Sequence, residues 1–314
     1  MKGFNPEQGF LAPSSERLPE AEEALYKVLV PKNENKAIQL DEFADLYDPE
    51  VITKDKAYVE NLEGKFSADG APEASKKFGK LFEAIINDQI ENSDLMGPNA
   101  DVIVPSRFDD IANGIDSIVR FKEQKGATSH LALAIDVTRS HAEIEKKFSR
   151  IRSSIEDGNL SRVKYFRSKN FRGELKPVAR VVIGADHVVT EDISNLMLTF
   201  MRMQRTIAEN RRTKNENDSA NELPKKLSEV RKKLADHPLH QIVLTEIRAQ
   251  LEAFQSYAQQ RGKQTAADEY TKILHLIAEI IDEKDGPSNV QNNEIVDNDE
   301  IYKTIIENAK GFGR

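Results

Sequence analysis

Apolar residues recur along the middle of the chain with two different periods, and each change of period marks a new element. From Glu73, the residues Phe78, Leu81, Phe82, Ile85, Ile86 and Ile90 return at three- and four-residue steps, the pattern of a helix with one buried face. Met96-Gly97-Pro98-Asn99 ends it, and ADVIVP (100–105) follows as a short strand limited by Pro105. GIDSIVRF (114–121) is β-branched and aromatic, as strands are, and HLALAIDV (130–137) is apolar along almost its whole length. A continuous apolar run of that length predicts a central strand covered on both faces. HAEIEKKFSRIRSSIEDG (141–158) returns to the helical period, with Ile144, Phe148, Ile151 and Ile155 on one side and Gly158 as its stop. RVKYFRS (162–168) and ARVVIGAD (179–186) read as strands flanking the turn FRGELKP (171–177), and a helix follows over 189–210.

The predicted order is helix, three strands, helix, two strands, helix. Three consecutive strands exclude a plain alternating dinucleotide fold, and no glycine-rich phosphate loop follows any strand. The pattern therefore predicts an α/β protein: a mixed β-sheet core flanked by helices on both sides, with a helical C-terminal region.

The flanking segments differ in character. Residues 1–18 are irregular, and PEAEEALYKVLVP begins a helix with acids in its first turn and Leu25, Val28 and Leu29 as an apolar side, stopped at Pro31. LDEFADLYDPEVI and KDKAYVENLEGKF read as two short helical or irregular pieces. The chain thus divides into an acidic N-terminal extension (1–70), an α/β core (71–210), a polar, breaker-rich linker (211–224), a helical region (225–284), and a flexible tail with a short terminal helix (285–314).

Charge sharpens this division. The chain of 314 residues carries a net charge of -8, which would ordinarily disfavour a polyanionic partner. Residues 1–70 hold fifteen Asp/Glu against eight Lys/Arg, whereas 139–180 hold twelve Lys/Arg against five Asp/Glu. Local fields rather than the total steer a polyanion, so an acidic chain can present one basic face to nucleic acid. There Arg162, Lys164, Arg167, Lys169 and Arg172 interleave with Tyr165, Phe166 and Phe171, residues that suit phosphate contact and base stacking. The plainer alternative is that Tyr165 belongs to the core and the cations solvate a hairpin. The absence of cysteine excludes thiol catalysis and disulfides. With no apolar run of membrane-spanning length and no secretory signal at the N-terminus, it predicts a cytoplasmic protein without membrane contact.

Two aspartates carry the candidate chemistry. Asp116 opens one strand and Asp136 closes the next. If those strands pair as a hairpin, the carboxylates meet at one end of the sheet, where they suit Mg2+ or Mn2+, hard cations that prefer oxygen ligands. Such an ion polarises a phosphate and activates water for in-line attack. Asp110 is a further candidate ligand, and Arg139 a candidate phosphate contact.

The layout, with NGIDSIV followed by LALAIDVT, resembles the PD-(D/E)XK nuclease superfamily and is similar to the G-x-x-D…(D/E)-x-K signature of its small bacterial and Holliday-junction-resolvase-like members. The resemblance covers residues 73–185 and implies a restriction-endonuclease-like fold and metal-dependent phosphodiester hydrolysis. Asp116 matches the metal-binding aspartate, Asp136 the second acid, and Glu83 in KLFEAI the helix glutamate that some members use. The signature lysine is replaced by Thr138, which cannot supply a cation. With Ile144 and its partners facing the sheet, Lys146 stands about 200° away around the helix, whereas Lys147 falls at the edge of the buried face. Lys147 is thus the candidate replacement.

Each residue also has a plainer role. Asp136 suits a helix cap, Asp116 an edge-strand polar position, Asp109 and Asp110 a solvated turn, and Glu83 and Lys147 a surface rim. The alternative function is a non-catalytic module that binds nucleic acid or protein through the basic strands, with the C-terminal helices forming a homodimer.

Overall fold

Three antiparallel strands, a crossover helix and a returning parallel strand form the centre of the molecule. The computed structural model describes residues 17–68, 72–122, 128–135, 141–213, 218–284, 296 and 298–313. The strands are β1 (Ala100–Ile103), β2 (Ser117–Lys122), β3 (Thr128–Ile135), β4 (Ser161–Arg167) and β5 (Arg172–Ile183), in the sheet order β1-β2-β3-β5-β4. The pairs β1/β2, β2/β3 and β4/β5 are antiparallel and β3/β5 is parallel. β3 is the middle strand of this mixed sheet, as its apolar run predicts.

Preceding the sheet are α1 (Glu20–Glu34), a 3-10 turn (Leu40–Phe43), α2 (Pro49–Ala68) and α3 (Glu73–Asn92). The short α4 (Arg107–Asn113) joins β1 to β2, and α5 (His141–Asp157) crosses from β3 towards the β4–β5 hairpin. The C-terminal region comprises α6 (His187–Thr213), α7 (Asp218–Ala235), α8 (Pro238–Gln260), α9 (Gln264–Glu283) and α10 (Glu300–Lys310).

The helical periodicities place their apolar sides as expected. Phe78, Leu81, Phe82, Ile85, Ile86 and Ile90 of α3 are all buried, as are Ile144, Phe148, Ile151 and Ile155 of α5. With α8, α9 and one face of the sheet they build the main core. α8 also completes a strand edge. Beyond Val178, β5 has no β4 partner, and the Gln250 side chain accepts from the Val182 N–H (2.8 Å) and donates to the Val182 carbonyl (2.6 Å). A side-chain amide thereby replaces a missing strand, as buried backbone groups require.

Several elements differ from the sequence reading. α1 continues through Pro31 to Glu34, because a proline on the exposed side in the last turn costs one helical bond whose carbonyl water can solvate. Val28 points outward while Leu25 and Leu29 are buried. The two short pieces expected before residue 66 form parts of a turn and one 20-residue helix, α2. α4 occupies the stretch after Pro105, where the plainer reading put a solvated turn at Asp109 and Asp110: Ser106 caps it, accepting from the Asp109 N–H, and Gly114 ends it in the left-handed conformation at φ 63°. The expected turn 171–177 lies mostly within β5. Pro177 sits there at a register shift in the β4/β5 ladder, where the missing N–H costs least. α7 begins at Asp218, inside the stretch expected as a linker. Among the described residues no helix is long and apolar enough to cross a membrane.

The acidic N-terminal segment packs on the β4–β5 hairpin. Ile38, Leu40, Phe43 and Ile52 surround Tyr165, which is fully buried. Around that small core, carboxylates meet cations: Asp55 pairs with Lys164, Glu42 with Arg167 and Asp45 with Arg172.

Candidate acidic cleft

Asp109 sets up the cleft, although it does not line it. Its carboxylate is fully buried. It accepts from the backbone N–H groups of Lys164 (2.7 Å) and Tyr165 (3.0 Å), the Asn113 side chain (2.7 Å) and the Ser106 hydroxyl (2.8 Å). These bonds pin α4 against β4. The next residue, Asp110, and Asp116 beyond the Gly114 turn both line a cavity of about 580 Å³, and Glu83 of α3 lines it from another side. Lys80, paired with Glu34, and Arg107 and Glu63 complete its charged wall.

A hydrogen-bond relay of buried polar groups orients Glu83. The Ser117 hydroxyl donates to Asn87 (2.7 Å), Asn87 donates to Asn33 (2.9 Å), and Asn33 donates to the Glu83 carboxylate (2.9 Å). All donors run in one direction, and the relay ends with a Glu83 carboxyl oxygen as the acceptor. Asn33 lies on α1, which makes the N-terminal segment part of the cleft wall.

The carboxylates repel one another. Burial raises Glu83 well above the usual carboxylate range, and the charges of Asp116 and Asp110 add to that against the Asn33 bond and Lys80. Asp110 is pushed up to about 7 by burial and then by Asp116, with Arg107 opposing. Arg107 bridges Asp110 (2.5 Å) and Glu63 (2.6 Å) at the rim. Burial and the neighbouring charges thus raise both Glu83 and Asp110, and a divalent cation is a species that relieves such crowding. Among the described residues, no three acidic or histidine side chains already stand in ligating proximity.

The cleft accounts for three of the sequence candidates, Glu83, Asp110 and Asp116. Asp136, Thr138 and Arg139 lie outside the described residues. β3 ends at Ile135, and because Ser117 pairs with Leu133 the chain leaves β3 at the sheet end where β2 begins. Lys147 is half-buried at the edge of the α5 core face, as helical phase predicts, and is not among the residues lining the cavity. Of the basic hairpin, Lys164, Arg167 and Arg172 are paired with Asp55, Glu42 and Asp45 as described, and Arg162 lies 3.7 Å from Glu174. Lys169 is exposed at the hairpin turn. Tyr165 and Phe166 are core residues, whereas Phe171 is exposed.

The residues that sequence reading missed here are Asn33, Asp109 as a buried anchor, and Arg180. Arg180 of β5 donates through Nη1 to the Asn113 carbonyl at 3.0 Å. Burial lowers its guanidinium, with Asp116 opposing. Comparison with protein-family models, curated proteins and solved structures finds no match for this chain.

Proposed function

We propose that this protein is a Mg2+- or Mn2+-dependent phosphodiesterase acting on nucleic acid, organised on the PD-(D/E)XK plan. The observation that carries the reading is the convergence of Glu83 from α3, Asp110 from α4 and Asp116 from the turn between α4 and β2 on one cavity at the end of the sheet where β2 begins. The strand arrangement supports it in part, since an antiparallel β1-β2-β3 meander is followed by a helix and then by the β4–β5 hairpin, whose second strand runs parallel to β3. Oxygen donors and an excess of negative charge are what hard divalent cations select. In this reading Asp116 and Asp110 are the principal ligands, with Asp136 as the further sequence candidate, and Glu83 is held by Asn33 to accept a proton or complete the shell. The ion when bound polarises the phosphate and lowers the pKa of water.

The basic hairpin contributes less to substrate contact in this reading than its composition implies. Carboxylates of residues 42–55 already neutralise three of its cations and Glu174 stands beside Arg162, which leaves Lys169 as the first candidate for backbone phosphates and the exposed Arg162 as the second. The test is Mg2+- or Mn2+-dependent cleavage of single-stranded, duplex and branched nucleic acids by the full chain. Asp116→Asn is expected to reduce the rate roughly 10³-fold, the several kcal/mol that a metal-held charge supplies in the transition state. Binding without cleavage by the parent would favour a non-catalytic nucleic-acid module. Cleavage indifferent to both Asp116→Asn and Asp136→Ala would place the chemistry elsewhere.

A further inference from the structure

Arg180 stands against the turn that leads into Asp116, and among the described residues no acidic side chain engages it at ion-pair distance. It sits on β5 opposite Ala132, and β3 separates β5 from β2. Its guanidinium nevertheless reaches the turn between α4 and β2. Nη1 bonds the Asn113 carbonyl at 3.0 Å. Nη2 lies where Gly114 carries no side chain, and a Cβ built there would stand 3.0 Å from it. Gly114 is thus needed twice, for its φ of 63° and for the room it leaves the guanidinium. Asp116, two residues further on, lines the cavity, and Arg180 stands behind that turn rather than in the lining.

The hydrogen bonding of Arg180 is incomplete. A guanidinium carries five N–H donors, yet among the described residues only the Asn113 carbonyl accepts from it. Its Nε is buried and has no partner. Buried donors are nearly always satisfied, and an exception calls for a reason. A planar donor fork beside an acidic cleft matches the oxygens of a phosphodiester.

We propose that Arg180 supplies the cation of this site, holding the Asn113–Gly114 turn with Nη1 and presenting its remaining N–H groups to a non-bridging phosphate oxygen of the substrate. This rests on the phosphodiesterase reading for its substrate class. It moves the missing positive charge from Thr138 and the α5 helix to β5, where the side chain already touches the turn that delivers Asp116. No bond is made or broken by Arg180: it binds an oxyanion and stabilises the charge that grows on it.

The test uses the full chain with arginine side chains labelled with 15N. The Nε–H resonance of Arg180, assigned by its loss in Arg180→Lys, is followed while dimethyl phosphate is added as the phosphodiester probe. A saturable movement of that resonance is expected. In parallel, Arg180→Met is expected to slow metal-dependent cleavage about 100-fold, the cost of one oxyanion donor, with partial recovery in Arg180→Lys. Arg180→Lys retains a donor for the Asn113 carbonyl, so it serves as the test variant if Arg180→Met does not fold. An Nε–H resonance that ignores dimethyl phosphate overturns the proposal, whatever cleavage does. So does a larger loss in Lys147→Met than in Arg180→Met. Movement of the resonance in a protein that cleaves nothing upholds the oxyanion site and removes the phosphodiesterase reading instead.

Discussion

Asp109→Ala is expected to destabilise the protein by about 3–5 kcal/mol, the range for leaving a buried polar network without its anion. The carboxylate is fully buried and receives two backbone N–H groups of β4, the Asn113 side chain and the Ser106 hydroxyl. Alanine would leave the Lys164 and Tyr165 amides without their acceptor, each at a cost of roughly 1–3 kcal/mol where the donor is buried. The urea midpoint at neutral pH measures the effect. Asp109→Asn, which keeps the shape and one acceptor, is expected to lose distinctly less. A midpoint for Asp109→Ala within about 0.5 kcal/mol of the parent, the ordinary range for a surface change, would show that Asp109 does not anchor α4. Because α4 carries Asp110 and leads into Asp116, loosening it should also blur the cleft.

The second large effect is acid destabilisation through His240. Its ring is buried on α8, with Nε2 at 3.2 Å from the Gln89 Oε1 and Nδ1 at 3.4 Å from the Lys284 ammonium. These partners assign the neutral tautomer: Nε2–H donates to Gln89 and Nδ1 faces a cation. Burial, then Lys284 and His237, depress the imidazole to about 3. A base with a folded pKa below its unfolded value of about 6.5 gives stability that is complete above that pH. The contribution is lost progressively as pH falls from there towards the folded value, because only the unfolded chain takes up the proton. The raised carboxyls of Glu83 and Asp110 act in the opposite sense, so the comparison should be with His240→Leu. Relative to the variant, the parent is expected to lose about 2–3 kcal/mol of stability between about pH 7 and about pH 4.5, at 1.36 kcal/mol per pKa unit. A difference between the two that is constant with pH, or an imidazole NMR titration near pH 6.5, would contradict the assignment.

What the sequence disclosed and what it concealed follow from the range of the interactions involved. The helix of Phe78 to Ile90, the buried face of α5 and the central position of β3 depend on periodicities inside one element, so they are readable locally. The pairing of acids and bases is not. Lys164 meets Asp55 and Arg167 meets Glu42 across more than a hundred residues, and no local pattern tells a solvated basic hairpin from a neutralised one. Asp109 and Asp110 are adjacent and chemically identical in sequence, yet one is a buried anchor and the other lines the cleft. Only the capped turn from Ser106 to Gly114 separates them. The Ser106 cap and the Asn113-Gly114 stop were the signals in the sequence that could have placed α4. Asn33 and Arg180 left no such trace, because each reaches the site from an element remote in sequence.

The claim at the centre of this account is that the cleft of Glu83, Asp110 and Asp116 takes up a divalent cation. Titration of Mn2+ into the full chain, followed by loss of the free-ion paramagnetic resonance, tests it most directly. One saturable site is expected in the parent, weakened at least about 100-fold by Asp116→Asn, as loss of several kcal/mol of metal affinity requires. A parent chain that binds no Mn2+, or an Asp116→Asn variant that binds it as tightly as the parent, would contradict it.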